Sequence, residues 1–298
     1  MDTTGAGAGT AAEKRRALRA LVEAREAALL PGAGNALTAR VIEEAGFPAC
    51  YVTGAGVANT LLGAPDIGLV TLSELTDTVA AISDVCTLPL VVDIDTGFGN
   101  ALNLRRTMRS MERAGASAVQ LEDQVFPKKC GHCAGKAVIP VSEARAKLRA
   151  ALDAREDTGL MVIARTDAAA VEGFGAAMER AEAFIEEGAD MTFVEAPVSR
   201  EELARAAALP VPQVANMVVG GRTPLLPRAE LAGMGFGLAL YANAALQAAM
   251  RAMTEVLGAL KADGDLSRVA DRLADFDERQ RLVDKATFDA LEARYRGG

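Results

Sequence analysis

Eight short apolar segments recur along the 298-residue chain, and each has the length and the Val, Ile, Leu and Ala content of a buried strand. The segments are 28–31, 49–53, 88–95, 118–123, 160–166, 191–195, 213–216 and 238–241. Helical segments, with apolar residues at three-to-four spacing, lie at 102–114, 142–156, 175–187, 200–208 and 228–234. Strands that alternate with helices predict an α/β fold with a parallel sheet, and eight of them predict a (β/α)8 TIM barrel.

Length and composition favour a single barrel domain over residues 1–298. Half of the residues are hydrophobic, which suffices for a sizeable core in a chain of this length. Residues 1–10 are small and rich in Gly and Ala, and we expect a flexible tail there. Residues 243–298 are strongly helical with an apolar face, and they predict extra C-terminal helices.

The overall charge argues against two classes of partner. A net charge of -8 and a pI near 5.0 are the wrong sign for a nucleic-acid or anionic-membrane surface. The sequence shows no signal-peptide layout and no apolar stretch of membrane-spanning length, so we expect a cytoplasmic enzyme acting on a small molecule. Four cysteines in a chain this large indicate reduced thiols and not a disulfide framework.

Polar residues close several of the predicted strands. Barrel active sites lie at the carboxyl ends of the strands, so these residues predict one shared pocket. In chain order they are Asp93 and Asp95, Glu122 and Asp123, Arg165 and Asp167, Glu195, and Asn216.

Asp93 and Asp95 are two residues apart, so on a strand both side chains would point to one face. With Glu122 from the next strand they would form an oxygen-rich site suited to Mg²⁺ or Mn²⁺. The alternative is a set of solvated acids at the strand ends. Arg165 suits a bidentate contact with a substrate carboxylate, and its alternative is an ion pair across the barrel mouth.

Five segments together resemble the isocitrate lyase and phosphoenolpyruvate mutase superfamily. They are DIDTGFGN at 93–100, LEDQ at 121–124, KKCGH at 128–132, ARTD at 164–167 and NM at 216–217. The resemblance extends over residues 31–241 in order. It implies a Mg²⁺-dependent barrel that cleaves a 2-hydroxy di- or tricarboxylate, of the 2-methylisocitrate or 2,3-dimethylmalate type. The products would be pyruvate or glyoxylate and a carboxylic acid.

The resemblance also assigns a metal site and a binding site for the 2-oxo acid. It places Mg²⁺, or alternatively Mn²⁺, on Asp93, with Asp66, Asp95 and Glu122 acting directly or through water.

For the 2-oxo acid carboxylate, the resemblance implies backbone amides in the small-residue loop Thr53, Gly54 and Ala55. Arg165 would clamp the same carboxylate.

The remaining roles implied by the resemblance concern the departing acid. Glu195 and Asn216 would line that end of the pocket, and His132 would be a second anion contact. The thiol of Cys130 would deliver a proton to the departing carbanion. The neighbouring Lys128 and Lys129 would lower the pKa of that thiol, whereas burial under a closed lid would raise it.

Several alternatives stay open. The superfamily also contains carboxyphosphonoenolpyruvate and phosphoenolpyruvate mutases and an oxaloacetate hydrolase. The segment NMVVGGRTP at 216–224 resembles the branch of 2,3-dimethylmalate lyase, oxaloacetate hydrolase and carboxyphosphonoenolpyruvate mutase more than the methylisocitrate lyases. CGHC at 130–133 is the signature of a thiol-disulfide oxidoreductase, although the chain has no Trp and Lys129 precedes the motif. A zinc site formed by this segment would lack a fourth ligand. A further alternative is a catalytically inactive barrel that serves as a binding module. It would be favoured only if the purified protein bound no Mg²⁺.

The resemblance finally implies an assembly. The last helices, within 266–295, would swap onto a neighbouring barrel and give a homotetramer.

Overall fold

The computed structural model of the chain describes residues 9–129 and 135–296. Most of the tail predicted at residues 1–10 therefore lies outside the described residues. The same holds for Cys130, His132 and Cys133 of the CGHC segment.

Eight parallel strands form a nearly closed barrel, as the sequence predicts. The strands are β1 Ala28–Ala33, β2 Cys50–Val52, β3 Leu90–Asp93, β4 Ala118–Glu122, β5 Met161–Thr166, β6 Met191–Val194, β7 Val214–Asn216 and β8 Leu238–Tyr241. Their order is β6-β5-β4-β3-β2-β1-β8-β7. A parallel bridge between Thr192 and Gln213 brings β6 beside β7 and nearly closes the ring.

One helix precedes β1 and the others follow the strands, and most of them cover the outside of the sheet. They are α1 Ala11–Glu23, α2 Ala36–Glu44, α3 Gly54–Val57, α4 Leu72–Val85, α5 Ala101–Ala114, α6 Val141–Ala154, α7 Phe174–Glu187, α8 Arg200–Ala207 and α9 Arg228–Met234. Local signals set their ends: Asn100 caps α5 by accepting hydrogen bonds from the Leu102 and Asn103 amides, and Gly115 ends it at φ +103°. All five helices predicted from spacing are confirmed within two residues at each end.

The core has two layers because parallel strands are buried on both faces. Inside the barrel, Tyr51, Ile163 and Phe193 pack with other inward-facing side chains, and Leu18 and Val22 of α1 join them near the amino ends of the strands. Outside the barrel, a second apolar layer separates the strands from α2, α4, α5 and α6. The barrel mouth at the carboxyl ends is thereby left for polar side chains.

Residues 9–243 form one compact unit and residues 244–296 belong to a second. The second unit contains α10 Ala244–Asp263, a 3₁₀ segment Ser267–Arg272, α11 Phe276–Leu282 and α12 Lys285–Arg296. The C-terminal helices are thus confirmed, and the one-domain organisation stays a prediction. None of the helices in the described part of the chain is long and apolar enough to span a membrane.

Candidate active site

The acidic pair of the third strand converges, but not by the predicted route. β3 ends at Asp93, and Asp95 lies in the following turn at φ +48°, so strand alternation does not align the two side chains. The expectation that the strand continues to residue 95 is wrong, because the Gly97 amide hydrogen-bonds to the Ile94 carbonyl and closes a turn there. Both carboxylates nevertheless face Gly54, since a Cβ at Gly54 would lie 3.2 Å from an oxygen of each.

The small-residue loop after β2 lies on the other side of this space. Thr53 caps α3 by accepting a hydrogen bond from the Gly56 amide, and Gly54 and Ala55 are the first two residues of that short helix. Amides in the first turn of a helix have no partner within the helix. The Thr53, Gly54 and Ala55 loop therefore lies beside the acidic pair.

A buried ammonium stands among the acids. The Nζ of Lys128 contacts the Asp66 carboxylate and lies 2.8 Å from Oδ1 of Asp95, and only 3% of the Lys128 side chain is exposed. Burial works to lower the pKa of Lys128, but the surrounding carboxylates, Asp95 foremost, raise it above its ordinary value. Lys128 therefore stays protonated and carries a positive charge inside the acidic cluster.

Arg165 lies across the mouth from this lysine. Its guanidinium donates to both oxygens of Asp167, at 2.9 and 3.1 Å, and lies 3.5 Å from Oε2 of Glu122. It also stacks over the ring of Phe193, with 5.2 Å from Cζ to the ring centroid. The ion pair considered as the alternative for Arg165 is thus present. It leaves a positive group at the pocket wall that an anion could also contact.

Two carboxyl groups of the cluster bind protons unusually tightly. Burial and the neighbouring Asp93 carboxylate raise the pKa of Asp95 to about 7, against the lowering effect of Lys128. Burial also raises the pKa of Glu122 well above its ordinary value, although Arg165 opposes the shift. Carboxylates crowded in this way favour an additional positive charge beside them.

The donor set fits a hard divalent cation. All its side-chain donors are carboxylate oxygens. Oε1 of Glu122 is buried and accepts no hydrogen bond from the described residues, whereas Oδ1 of Asp95 is held by Lys128. Gly54 keeps space open beside Asp93 and Asp95 that any larger residue would fill. In residues 9–129 and 135–296 no three His, Cys, Asp or Glu side chains stand ready-placed around a metal, because Lys128 lies between the acids. Asp93, Asp95, Asp66 and Glu122 could therefore hold a metal only after Lys128 moves.

A hydrogen-bonded relay that the sequence analysis missed leads from the barrel interior to Asp93. The hydroxyl of Tyr51 donates to Oε1 of Gln120 at 2.7 Å, and Nε2 of Gln120 donates to Oδ1 of Asp93 at 3.2 Å. Burial raises the pKa of Tyr51 well above its ordinary value. Gln120 lies two residues before Glu122 on β4, so its inward position was a signal that the sequence contained.

The last predicted pair comes from the carboxyl ends of β6 and β7. Asn216 donates from Nδ2 to both oxygens of Glu195, at 3.3 and 3.2 Å. Oδ1 of Asn216 is buried and accepts no hydrogen bond from the described residues. Glu195 and Asn216 therefore form one polar wall with an acceptor available to a ligand.

The strand order of the barrel and the charged residues at the strand ends are those expected of the predicted family. Comparison with known proteins decides which family the chain belongs to. The family model for phosphoenolpyruvate phosphomutase matches residues 18–261. The chain belongs to the PEP mutase/isocitrate lyase superfamily. It is an enzyme of that superfamily.

Several relatives within the superfamily are similar over nearly the whole chain. 2,3-Dimethylmalate lyase of Eubacterium barkeri is 41% identical over 94% of this chain and 98% of its own length. 2-Methylisocitrate lyase of Aeropyrum pernix is 42% identical over 86% of this chain and 82% of its own length. The structure of a phosphonopyruvate hydrolase in complex with oxalate and Mg²⁺ is 32% identical, has a TM-score of 0.85, and matches 95% of this chain and 99% of its own.

Most site residues expected of a superfamily member come together in the described part of the chain. The structure places the following around one barrel mouth: Thr53, Gly54, Ala55, Asp66, Asp93, Asp95, Glu122, Lys128, Arg165, Glu195 and Asn216. Cys130 and His132 lie outside the described residues, and their roles stay predictions. The other two cysteines, Cys50 and Cys86, are free and buried.

Proposed function

We propose that the protein is a Mg²⁺-dependent carbon–carbon lyase. It would cleave a 2-hydroxy di- or tricarboxylate, of the 2-methylisocitrate or 2,3-dimethylmalate type, to pyruvate or glyoxylate and a carboxylic acid. The observation that carries the proposal is the meeting of an underpaired carboxylate cluster with the buried cations Lys128 and Arg165 at one barrel mouth. Relatives named for these two lyase activities support the reaction class.

The metal site of the proposal consists of Asp93, Asp95, Asp66 and Glu122. A Mg²⁺ ion bound there would act as a Lewis acid on the oxygen that becomes the 2-oxo group, and Mn²⁺ is the alternative ion. Two observations support this assignment: the open space at Gly54, and the oxygen of Glu122 that accepts no hydrogen bond from the described residues. The Mg²⁺ named with the related phosphonopyruvate hydrolase supports it independently.

The substrate site of the proposal divides into two ends. At one end, Arg165 and the amides of the Thr53, Gly54 and Ala55 loop bind the carboxylate of the nascent 2-oxo acid. The buried guanidinium is already oriented by Asp167 and Phe193, so little ordering is needed on binding.

At the other end, Glu195 and Asn216 contact the departing acid, with His132 as a further anion contact. In the reaction a general base accepts the hydroxyl proton, the oxygen forms the carbon–oxygen double bond of the 2-oxo acid, and the adjacent carbon–carbon bond breaks with its electron pair moving to the departing carbon. The thiol of Cys130 then supplies the proton that quenches this carbanion. Lys128 stays protonated because the surrounding carboxylates raise its pKa.

The test is product release from a panel of candidate substrates. Purified protein is given 2,3-dimethylmalate, 2-methylisocitrate, isocitrate or citramalate with Mg²⁺ or with EDTA, and pyruvate and glyoxylate are followed with coupled dehydrogenases. We expect EDTA-sensitive release from one member and none from a Cys130→Ser variant of unchanged melting temperature. No release from any member, with Mg²⁺ binding demonstrated, would reject the lyase and favour phosphonate chemistry or oxaloacetate hydrolysis.

We also propose that the C-terminal helices mediate assembly into a homotetramer in the cytoplasm. Met250, Met253 and Leu257 lie at three-to-four spacing on α10 and are all more than half exposed in the single chain. Light scattering should give four chains for the wild type and fewer for Leu257→Glu, with Arg251→Glu as the matched control. A monomeric wild type would reject the assembly.

A further inference from the structure

One buried carboxylate, Asp167, is shared between two cations. Arg165 donates to both of its oxygens, and the Nζ of Lys136 lies 2.7 Å from the same Oδ1 that accepts from Arg165. The side chains are closed to solvent: Lys136 is 1% exposed and Asp167 is 0% exposed. A buried ion triad of this kind is strongly coupled, because water cannot screen its charges.

The backbone around Asp167 is held from the opposite side. Asp123 accepts a hydrogen bond from the Asp167 amide at 2.9 Å and from the Thr166 hydroxyl at 2.7 Å. Arg180 lies 3.4 Å from the same Asp123 carboxylate. The Asp167 carboxylate therefore has a fixed anchor, and its orientation depends on its two cationic partners.

The backbone around Lys136 is fixed as well. The Val125 amide donates to the Ala137 carbonyl at 2.8 Å, and the Ile139 amide donates to the Asp123 carbonyl at 2.9 Å. The segment with Lys136 thus pairs with the chain that leaves β4. Its ammonium approaches Asp167 from a rigid support.

We propose that Lys136 is a positioning residue that acts through Asp167 on Arg165 and sets the affinity of Arg165 for the substrate carboxylate. The inference rests on the proposed function, in which Arg165 binds that carboxylate. The sequence around Lys136 is only a glycine followed by one lysine, and this pattern predicts no role in catalysis. The contact with Asp167 spans 31 residues and appears only in the fold.

The charge balance explains why the lysine matters. Arg165 is surrounded by carboxylates, with Asp167 at 2.9 Å, Glu122 at 3.5 Å and Glu195 also acting on it. Lys136 neutralises part of this negative charge and contacts the same Asp167 oxygen that accepts a hydrogen bond from Arg165. Without Lys136, Asp167 would bind Arg165 alone, and an incoming anion would meet a more negative wall.

The first experiment measures oxalate binding, because oxalate resembles the enolate of a 2-oxo acid and is the ligand named with the related phosphonopyruvate hydrolase. Titration calorimetry with Mg²⁺ present compares the wild type with Lys136→Met and Lys136→Arg. We expect Lys136→Met to weaken oxalate binding about tenfold, within the range for residues in one ion network. Lys136→Arg keeps the charge and should recover most of the affinity.

A matched control removes a lysine at the other end of the barrel. Lys14 donates to the Cys86 carbonyl at 2.9 Å and lies far from Arg165 in the fold, at the amino ends of the strands. Lys14→Met should change oxalate affinity less than twofold. Melting temperatures are recorded for every variant, so that a purely structural role, which lowers stability and leaves oxalate affinity unchanged, is recognised and overturns the proposal.

A double-mutant cycle tests whether the effect passes through Asp167. In the Asp167→Asn background the carboxylate is gone, so Lys136→Met should change oxalate affinity less than twofold. An equal loss in both backgrounds would overturn the proposal, as would wild-type affinity in Lys136→Met.

Product release separates this inference from the proposed function. If Lys136→Met binds oxalate weakly while the wild type cleaves no member of the panel, the lyase fails and the role of Lys136 stands. If the wild type cleaves a member and Lys136→Met has the same KM and kcat, the role of Lys136 fails and the lyase stands. A wild type that binds no oxalate contradicts both.

Discussion

The two ends of the barrel treat buried charge in opposite ways. At the amino end, Arg15 donates to Glu112, Asp157 and the Ala116 carbonyl, and Glu112 in turn accepts from two backbone amides. At the carboxyl end, Asp95 and Glu122 are buried with raised pKa values, and Oε1 of Glu122 accepts no hydrogen bond from the described residues.

The difference separates stability from function within one fold. Charges that are fully paired hold loops together, whereas buried carboxylates without enough partners cost folding free energy. Such sites persist where they bind something, so the underpaired end is the one assigned to the cation and the substrate.

The largest effect is expected at the carboxyl end, for Asp95→Asn. Asn tolerates the left-handed backbone of this position as Asp does, so the fold is kept. We expect kcat/KM to fall on the order of a thousandfold, since a charge that serves the electrophilic metal is lost. The melting temperature without added metal should change little, because relief of the crowding with Asp93 and Asp66 offsets the lost Lys128 contact, and Lys128 keeps its contact with Asp66.

The coupled product assay and thermal unfolding check this prediction together. A loss of activity accompanied by a large loss of stability would show that Asp95 holds the fold, contrary to the comparison.

At the amino end we expect the reverse for Arg15→Met. Removing this buried guanidinium leaves Glu112 with an uncompensated charge, and the free energy of unfolding should fall by about 3 kcal/mol. Turnover per folded molecule should match the wild type. Urea unfolding measures the free energy of unfolding, and the product assay measures turnover. A drop in turnover would show that the amino end contributes to function as well as to stability.

The smallest effect concerns acid stability at the same end. The hydrogen bond from Arg15 lowers the pKa of Asp157 below its ordinary value. A lowered pKa gives stability that is present above the unfolded pKa of about 4 and is lost as pH falls through the folded pKa. Melting temperatures of Asp157→Asn and the wild type should therefore differ at neutral pH and converge in acid. A constant difference down to acid pH would show that the Arg15 contact does not depend on the charge of Asp157.

Much of the fold could be predicted from the sequence because buried parallel strands are continuous apolar runs. All eight strands lie where these runs occur, and α9 has the predicted bounds of 228–234. The end of β3 could not be predicted, since the left-handed turn at Asp95 depends on contacts with β4 and not on local hydrophobicity.

The candidate site was predicted in part for the same reason. Residues that close strands, such as Glu122 and Arg165, are recognisable because the barrel brings strand ends together. The contact of Lys128 with Asp66 spans 62 residues, and the contact of Tyr51 with Gln120 spans 69. Such pairs follow from strand register and loop path, which no short sequence pattern encodes.

The cation site is tested most directly by Mn²⁺ binding followed by electron paramagnetic resonance, with wild type and Asp95→Asn titrated side by side. We expect one tight Mn²⁺ per wild-type chain, displaced by Mg²⁺, and binding at least about tenfold weaker in Asp95→Asn. Arg15→Met should bind like the wild type. Equal Mn²⁺ affinity in wild type and Asp95→Asn would contradict the claim that the underpaired carboxylates of the barrel mouth are the cation site.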